Sequence, residues 1–238
     1  MAGKYHGKDA RLYIAGYDLS PLMSNMEWSD EIEMDKYAVA DGSGGYHSMP
    51  GLISGTFKID GMFDDNYQEI LNTMLGAAAG SRLVAVLGES MGATALGIDS
   101  IREVKYNWPL KITNANRLTA EFMTENSPVD VCQVLQPKTT KTADGNGAVL
   151  DNGAASANGL VAYLMVFTCD AGDNLIVKVQ SDDNTTFTSP TDKITFTTAN
   201  GITSERKTVT GSIERYLRVN WAGTAPYSTT FAVIVKRL

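Results

Sequence analysis

Apolar and polar residues alternate with a period of two over several short stretches, the mark of strands with one buried and one wet face. At 11–14, Leu12 and Ile14 alternate with Arg11 and Tyr13. At 52–60, Ile53, Phe57 and Ile59 oppose Ser54, Thr56, Lys58 and Asp60. At 118–122, Leu118, Ala120 and Phe122 oppose Thr119 and Glu121. The wet faces on this reading include Asp60, Glu103, Thr119 and Glu121. The unbroken apolar run at 83–87 predicts a fully buried strand. One segment has the helical period instead: Tyr67, Ile70, Leu71, Met74 and Leu75 form a single stripe over 66–75. Asp65 and Gln68 are placed as its capping box and Gly76 as its stop. Further on, stretches at 160–168, 174–181, 194–198, 205–210, 216–221 and 229–236 are mostly separated by turn residues, which predicts a β-sandwich.

Between these regions, residues 136–159 (QPKTTKTADGNGAVLDNGAASANG) have almost no large apolar side chains and read as linker plus loop. The predicted partition is therefore a first domain at 1–137, a linker at 138–158 and a second domain at 159–238. Charge changes at the same place. Residues 1–137 carry 10 Lys and Arg against 18 Asp and Glu, and residues 138–238 carry 10 against 9. The acidity behind the chain's net charge of −7 thus lies wholly in the first domain, and that net charge argues against gripping nucleic acid, which needs clustered Lys and Arg. An apolar content of 43% is ample for a packed core. No apolar run approaches the roughly 18 residues of a membrane helix. The opening MAGKYHGKDARLY lacks the apolar centre of a secretory signal, so the chain is expected to act without export. Cys132 and Cys169 are expected as separate, reduced thiols in that setting.

Gly88-Glu89-Ser90-Met91-Gly92 has the spacing of a nucleophile elbow and follows an apolar strand. An elbow also needs a helix after it and a histidine later in the chain. ATALGIDS lacks the period of that helix, and the histidines, His6 and His47, both precede Ser90. Neither histidine has carboxylates or cysteines arranged around it for metal or acid–base work. Asp182, Asp183 and Asn184 lack the glycine and distal glutamate of a calcium loop and read as a turn. Lys36, Lys58, Lys105 and Lys111 stand singly, not as a basic groove with stacking aromatics. The sequence predicts no catalytic residue, no metal site and no cofactor.

Residues 30–51 (DEIEMDKYAVADGSGGYHSMPG) read as a long loop between strands, and loops of that length in a compact domain are usually functional or disordered. This one keeps Ile32, Met34, Tyr37, Val39, Tyr46 and Met49. Aromatics and Met are enriched at protein contacts. Two readings stand: an arm that orders against a neighbouring subunit, and a solvated hairpin with a Gly-rich tip.

The order HGKDARLYIAGYDLS, MDKYAVADGSGGYHSMPGLISGTFKIDG, DDNYQEILNTMLG resembles the tail tube proteins of tailed bacteriophages over residues 6–130. The resemblance implies a mainly β fold: a tail-tube β-sandwich or barrel with one flanking α-helix and a long loop, followed by a second all-β sandwich domain on the outside of the tail. It implies a structural virion protein of the tail, assembled in the host cytoplasm. Its homohexameric rings would stack into a tube beside tape measure, terminator and distal tail proteins, and DNA would pass without specific binding. In that frame the 30–51 loop makes the ring-to-ring contact. Asp60, Glu103 and Glu121 are candidates to face the lumen, where carboxylates repel a passing polyanion. The alternative is a two-domain adhesin or carbohydrate-binding protein that meets a host-surface glycan through Tyr163, Trp221 and Tyr227, although such aromatics are more often core residues.

Overall fold

A computed structural model describes residues 7–38, 46–62, 81–107, 116–125 and 129–238, with backbone alone for 32–38 and 46–53. The helix expected at 66–75 lies outside the described residues. In chain order the strands are β1 (Arg11–Ile14), β2 (Tyr17–Asp18), β3 (Met23–Ala38), β4 (Tyr46–Met62), β5 (Ser81–Val86), β6 (Thr94–Asn107), β7 (Arg117–Thr124) and β8 (Asp130–Lys141). They continue with β9 (Gly145–Asn146), β10 (Leu150–Asp151), β11 (Leu160–Thr168), β12 (Ile176–Asp182), β13 (Thr191–Thr195), β14 (Thr203–Val209), β15 (Tyr216–Ala222) and β16 (Thr229–Arg237). The fold is mainly β, as the alternating pattern predicts. The chain divides into two units, one of Met1–Pro21, Ser81–Asp99 and Asp130–Leu238, the other of Leu22–Gly80 and Ser100–Val129.

The first unit holds two sheets. One has the order β14-β11-β16-β8-β6-β5-β1-β2, and the other has β10-β15-β12-β13 with β9 also on β15. β11 is buried along all but its last residue because each of its faces has its own core. Leu160, Ala162, Leu164 and Val166 join Phe231, Val233 and Val235 and pack on Val177, Val179, Leu217 and Val219 of the second sheet. Val161, Tyr163, Met165 and Phe167 join Tyr13, Val84, Cys132 and Ile234 in a second core. The large sheet curls over that second core. The Tyr13 ring meets the Phe167 edge at 4.8 Å, and Arg82 Nη1 donates to the Ser204 carbonyl at 3.0 Å, tying β5 to β14. Gly97 must be glycine here, because a Cβ would stand 2.6 Å from the Tyr163 ring.

The expected linker is built into this unit. β8 runs unbroken from Asp130 to Lys141, and β9 and β10 both pair with β15. Pro137 is tolerated within β8 because the β8–β16 register shifts around Val233, beside it, relaxing the need for a ladder N–H. Residues 138–140 are exposed, so the strand needs no large apolar side chains there. The observed division therefore does not follow the linear partition at 137 and 158.

Among the described residues the second unit is a four-stranded antiparallel sheet in the order β3-β4-β7-β6, using residues 100–107 of β6. Phe57, Ile59, Ile101, Leu118, Ala120 and Phe122 form its buried face. The stretch 30–51 is mostly not a loop: β3 and β4 pair from Met23↔Gly61 to Ala38↔Tyr46. Asp and Glu are depleted in strands, which hides this carboxylate-rich strand from a propensity reading. The connection shrinks to 39–45, outside the described residues.

Candidate assembly interface

β7 pairs with β4 only over Thr56–Met62, so residues 46–55 pair with β3 alone among the described residues. At the rise of a strand, this two-stranded ribbon is about 30 Å long. An isolated hairpin is marginal in water, and a strand edge with no neighbour, as this one is among the described residues, offers its N–H and C=O groups to another chain. Ile32, Met34 and Tyr37 lie on its β3 strand and Tyr46 and Met49 on β4. The register sets Met34 opposite Pro50 and Tyr37 opposite His47. Five of the six expected contact residues are thus brought into one ribbon, and Val39 lies outside the described residues.

Behind the ribbon, the polar face of the sheet is organised in rungs. One runs Glu27, Lys58, Glu121, Lys105 across β3, β4, β7 and β6. The next runs Asn25, Asp60, Thr119, Asn107, with Thr119 Oγ1 donating to Asp60 Oδ1 at 2.8 Å. The charged rung, with Ser29, Thr56, Asn107 and Thr119, lines a shallow open trough of about 500 Å³. Asp60 and Glu121 lie on this polar face, as the alternation predicts.

Glu103 does not. It is 2% exposed and sits opposite Phe122 on the buried face. A register shift between Glu103 and Lys105 inserts Val104 as an extra residue, which reverses the phase of the alternation upstream of it. Neither Glu103 carboxyl oxygen has a hydrogen-bond partner among the described residues, and burial pushes the group up to about 8. The Tyr106 phenol oxygen is also buried without a partner among the described residues, and burial, then the Glu103 charge, raises it.

In the first unit, an ionic cluster around a buried carboxylate has no signature in the sequence. Asp130 accepts from Tyr163 Oη at 2.6 Å and Lys236 Nζ at 2.8 Å and lies 3.3 Å from Arg206 Nη2. Burial alone would raise its carboxyl, but the Lys236 and Tyr163 hydrogen bonds and the two cations hold it below the ordinary value. Only the pairing of distant strands assembles this set, and no local motif announces it. The aromatics considered for a glycan are enclosed: Tyr163 is held by Asp130, Trp221 Nε1 donates to the Ala143 carbonyl at 2.9 Å, and Tyr227 Oη to Asp144 Oδ1 at 3.0 Å. All three are buried and present no stacking platform.

Ser90 lies in a turn closed by Ala93 N–H on the Ser90 carbonyl, and β6 follows it where an elbow would need a helix. Asp182 closes a turn by accepting from the Asn184 and Ser189 amides. Cys132 and Cys169 are free thiols beside different cores, and burial pushes Cys132 up to about 12. His6 lies outside the described residues. Among the described residues no cluster of His, Cys, Asp and Glu is arranged to hold a metal, and no helix is long and apolar enough to cross a membrane.

The mainly β, two-sheet architecture with an open, ribbon-bearing sheet sets the class of fold. No protein-family model and no curated protein matches the chain. Among solved structures it is similar to a chain of the virion of a native gene transfer agent particle, at 10% identity and a TM-score of 0.43, over 54% of this chain and 98% of that one. It is similar to a chain of the sheath–tube complex of an extracellular contractile injection system (PVC) in the extended state, at 11% identity and a TM-score of 0.42, over 54% and 92%. It is also similar to the Dit protein (gp 19.1) of phage SPP1, at 15% identity and a TM-score of 0.38, over 94% and 98%. These neighbours come from phages and phage-like particles.

Proposed function

We propose that the chain is a structural tail-tube subunit whose copies close into homohexameric rings that stack into a conduit for DNA. The observation that carries this reading is the sheet of the second unit. Among the described residues, β3 on one side and 100–107 of β6 on the other have no neighbour, and a ribbon projects beyond the sheet. Open edges are a liability in a lone subunit, and joining edge to edge around a ring removes them. Ile32, Met34, Tyr37, Tyr46 and Met49 on the ribbon then meet the adjacent ring. The polar face of the sheet turns to the lumen, and its two rungs carry Glu27, Asp60 and Glu121 against Lys58 and Lys105. A near-balanced, slightly acidic wall gives a polyanion nothing to hold, so DNA slides without specific binding. Tape measure, terminator and distal tail proteins would meet this tube in the virion tail, assembled in the host cytoplasm. Negative-stain imaging of the purified full chain tests the reading. Sixfold rings or tubes are expected, and a protein that stays monomeric at high concentration would refute it.

A further inference from the structure

We propose that Glu27 and Lys105 form an ion pair between neighbouring copies and that this pair selects head-to-tail joining of the sheet edges over two-fold joining. The inference rests on the ring reading above. The charged rung changes sign at every step, so its two ends carry opposite charge: Glu27 on the β3 edge and Lys105 on the β6 edge. Both are exposed, and neither has an ion-pair partner among the described residues. The bias extends along the edges. β3 holds Glu27, Asp30, Glu31, Glu33 and Asp35 against Lys36. On the outer stretch of β6, Arg102 and Lys105 are exposed while Glu103 is withdrawn to the buried face. Arg102 is already satisfied by Glu125, at 2.6 Å, which leaves Lys105 as the cation available to a neighbour.

Strand direction fits the same partner. Each pairing in the sheet is antiparallel, so β3 and β7 run one way and β4 and β6 the other. The β6 edge of one copy beside the β3 edge of the next is therefore also antiparallel. With the rungs aligned, Lys105 falls opposite Glu27 and the alternation continues without a break. A two-fold joining would set the carboxylate-rich β3 against itself, or Arg102 and Lys105 against their own copies. Like charges directly opposite destabilise a sheet. Head-to-tail joining can close a ring, whereas two-fold joining through one edge stops at a dimer. The rejected pairing is thus excluded by repulsion as much as the chosen one is favoured by attraction. The occupant of each edge is a second copy of this chain.

A charge-reversal cycle on the full chain tests this, read as the concentration for half-assembly by sedimentation velocity, with circular dichroism as the check on folding. Glu27→Lys and Lys105→Glu alone should each raise that concentration about fivefold to tenfold. The double variant should assemble better than either single one, and the cycle separates this coupling from the in-chain neighbours Lys58 and Glu121. Single variants that assemble like the wild type, or a double variant worse than both, would overturn the pair while leaving the ring reading intact. A wild type that never assembles would overturn the ring reading and the pair with it. Under oxidation, Glu27→Cys combined with Lys105→Cys should give a covalent ladder beyond the dimer. Covalent dimers from Glu27→Cys alone would establish two-fold joining and refute the proposal.

Discussion

Replacing Glu103 with Gln should stabilise the protein, and the gain should grow with pH. The carboxyl is 2% exposed, faces Phe122 and has, among the described residues, no hydrogen-bond partner for either oxygen. Burial raises it from 4.5 to about 8. Because the folded value lies above the unfolded one, the folded protein holds its proton across that window while the unfolded chain has released it. Stability therefore falls as pH rises from about 4.5 to about 8. A tenfold difference in proton affinity between the two states corresponds to about 1.4 kcal/mol, so an unrelieved carboxyl would cost roughly 4–5 kcal/mol at pH 8. Local opening to water relieves about half of this, which leaves about 2–3 kcal/mol. Gln has the shape of the protonated acid and never ionises. Glu103→Gln should thus gain less than about 1 kcal/mol at pH 5 and about 2–3 kcal/mol at pH 8. Urea unfolding of both proteins at pH 5, 6, 7 and 8, at concentrations too low for assembly, measures the difference. A gain that is flat with pH, or a loss that deepens as pH rises, would refute the account of Glu103 as an unpaired buried acid.

Truncation after Pro137 should abolish cooperative unfolding, because it removes β11 and β16 and leaves both cores of the first unit without their central strands; a soluble fragment with a sharp urea transition would contradict this. Deleting residues 36–48 should leave a folded protein by circular dichroism that forms no tubes in negative stain, and tubes of normal length would exclude a ribbon contact between rings. Asp60→Lys with Glu121→Lys should permit assembly but slow DNA ejection from particles, with an effect that weakens as salt rises; an unchanged rate would remove these residues from the lumen. A fluorophosphonate probe should not label Ser90, since a strand and not a helix follows its turn, and stoichiometric labelling lost in Ser90→Ala would reopen a hydrolase reading.

The strands with clean alternation were legible from sequence alone. The expected 160–168 coincides with β11 and 11–14 with β1, and 216–221 and 229–236 fall one residue short of β15 and β16. Local pattern carries that information because one face of each strand must be buried. The same pattern says nothing about which strands meet. Nothing local shows that β8, ending the expected first domain, pairs with β16, or that β1 and β5 share a core with β11. β9 and β10 escape detection because two-residue strands among Gly, Asn and Asp have no period. At the candidate interface, residue types single out a stretch but not its conformation, since β3 is held by its ladder with β4 despite five carboxylates. Glu103 falls on the other face from the one expected because a bulge shifts the phase, and a bulge at Val104 leaves no trace in composition.

The place of β16 bears on how the subunit is made. It lies between β11 and β8, and Lys236 reaches back 106 positions to Asp130. Both partners leave the ribosome before it, and each must wait with one edge unfilled. Such high contact order delays folding and lengthens the time that strand edges stay exposed. The first unit therefore completes its cores only after nearly all of this sequence has been synthesised. On the tube reading proposed above, a nascent chain stays incompetent to join a growing polymer until then, which separates translation from assembly in time.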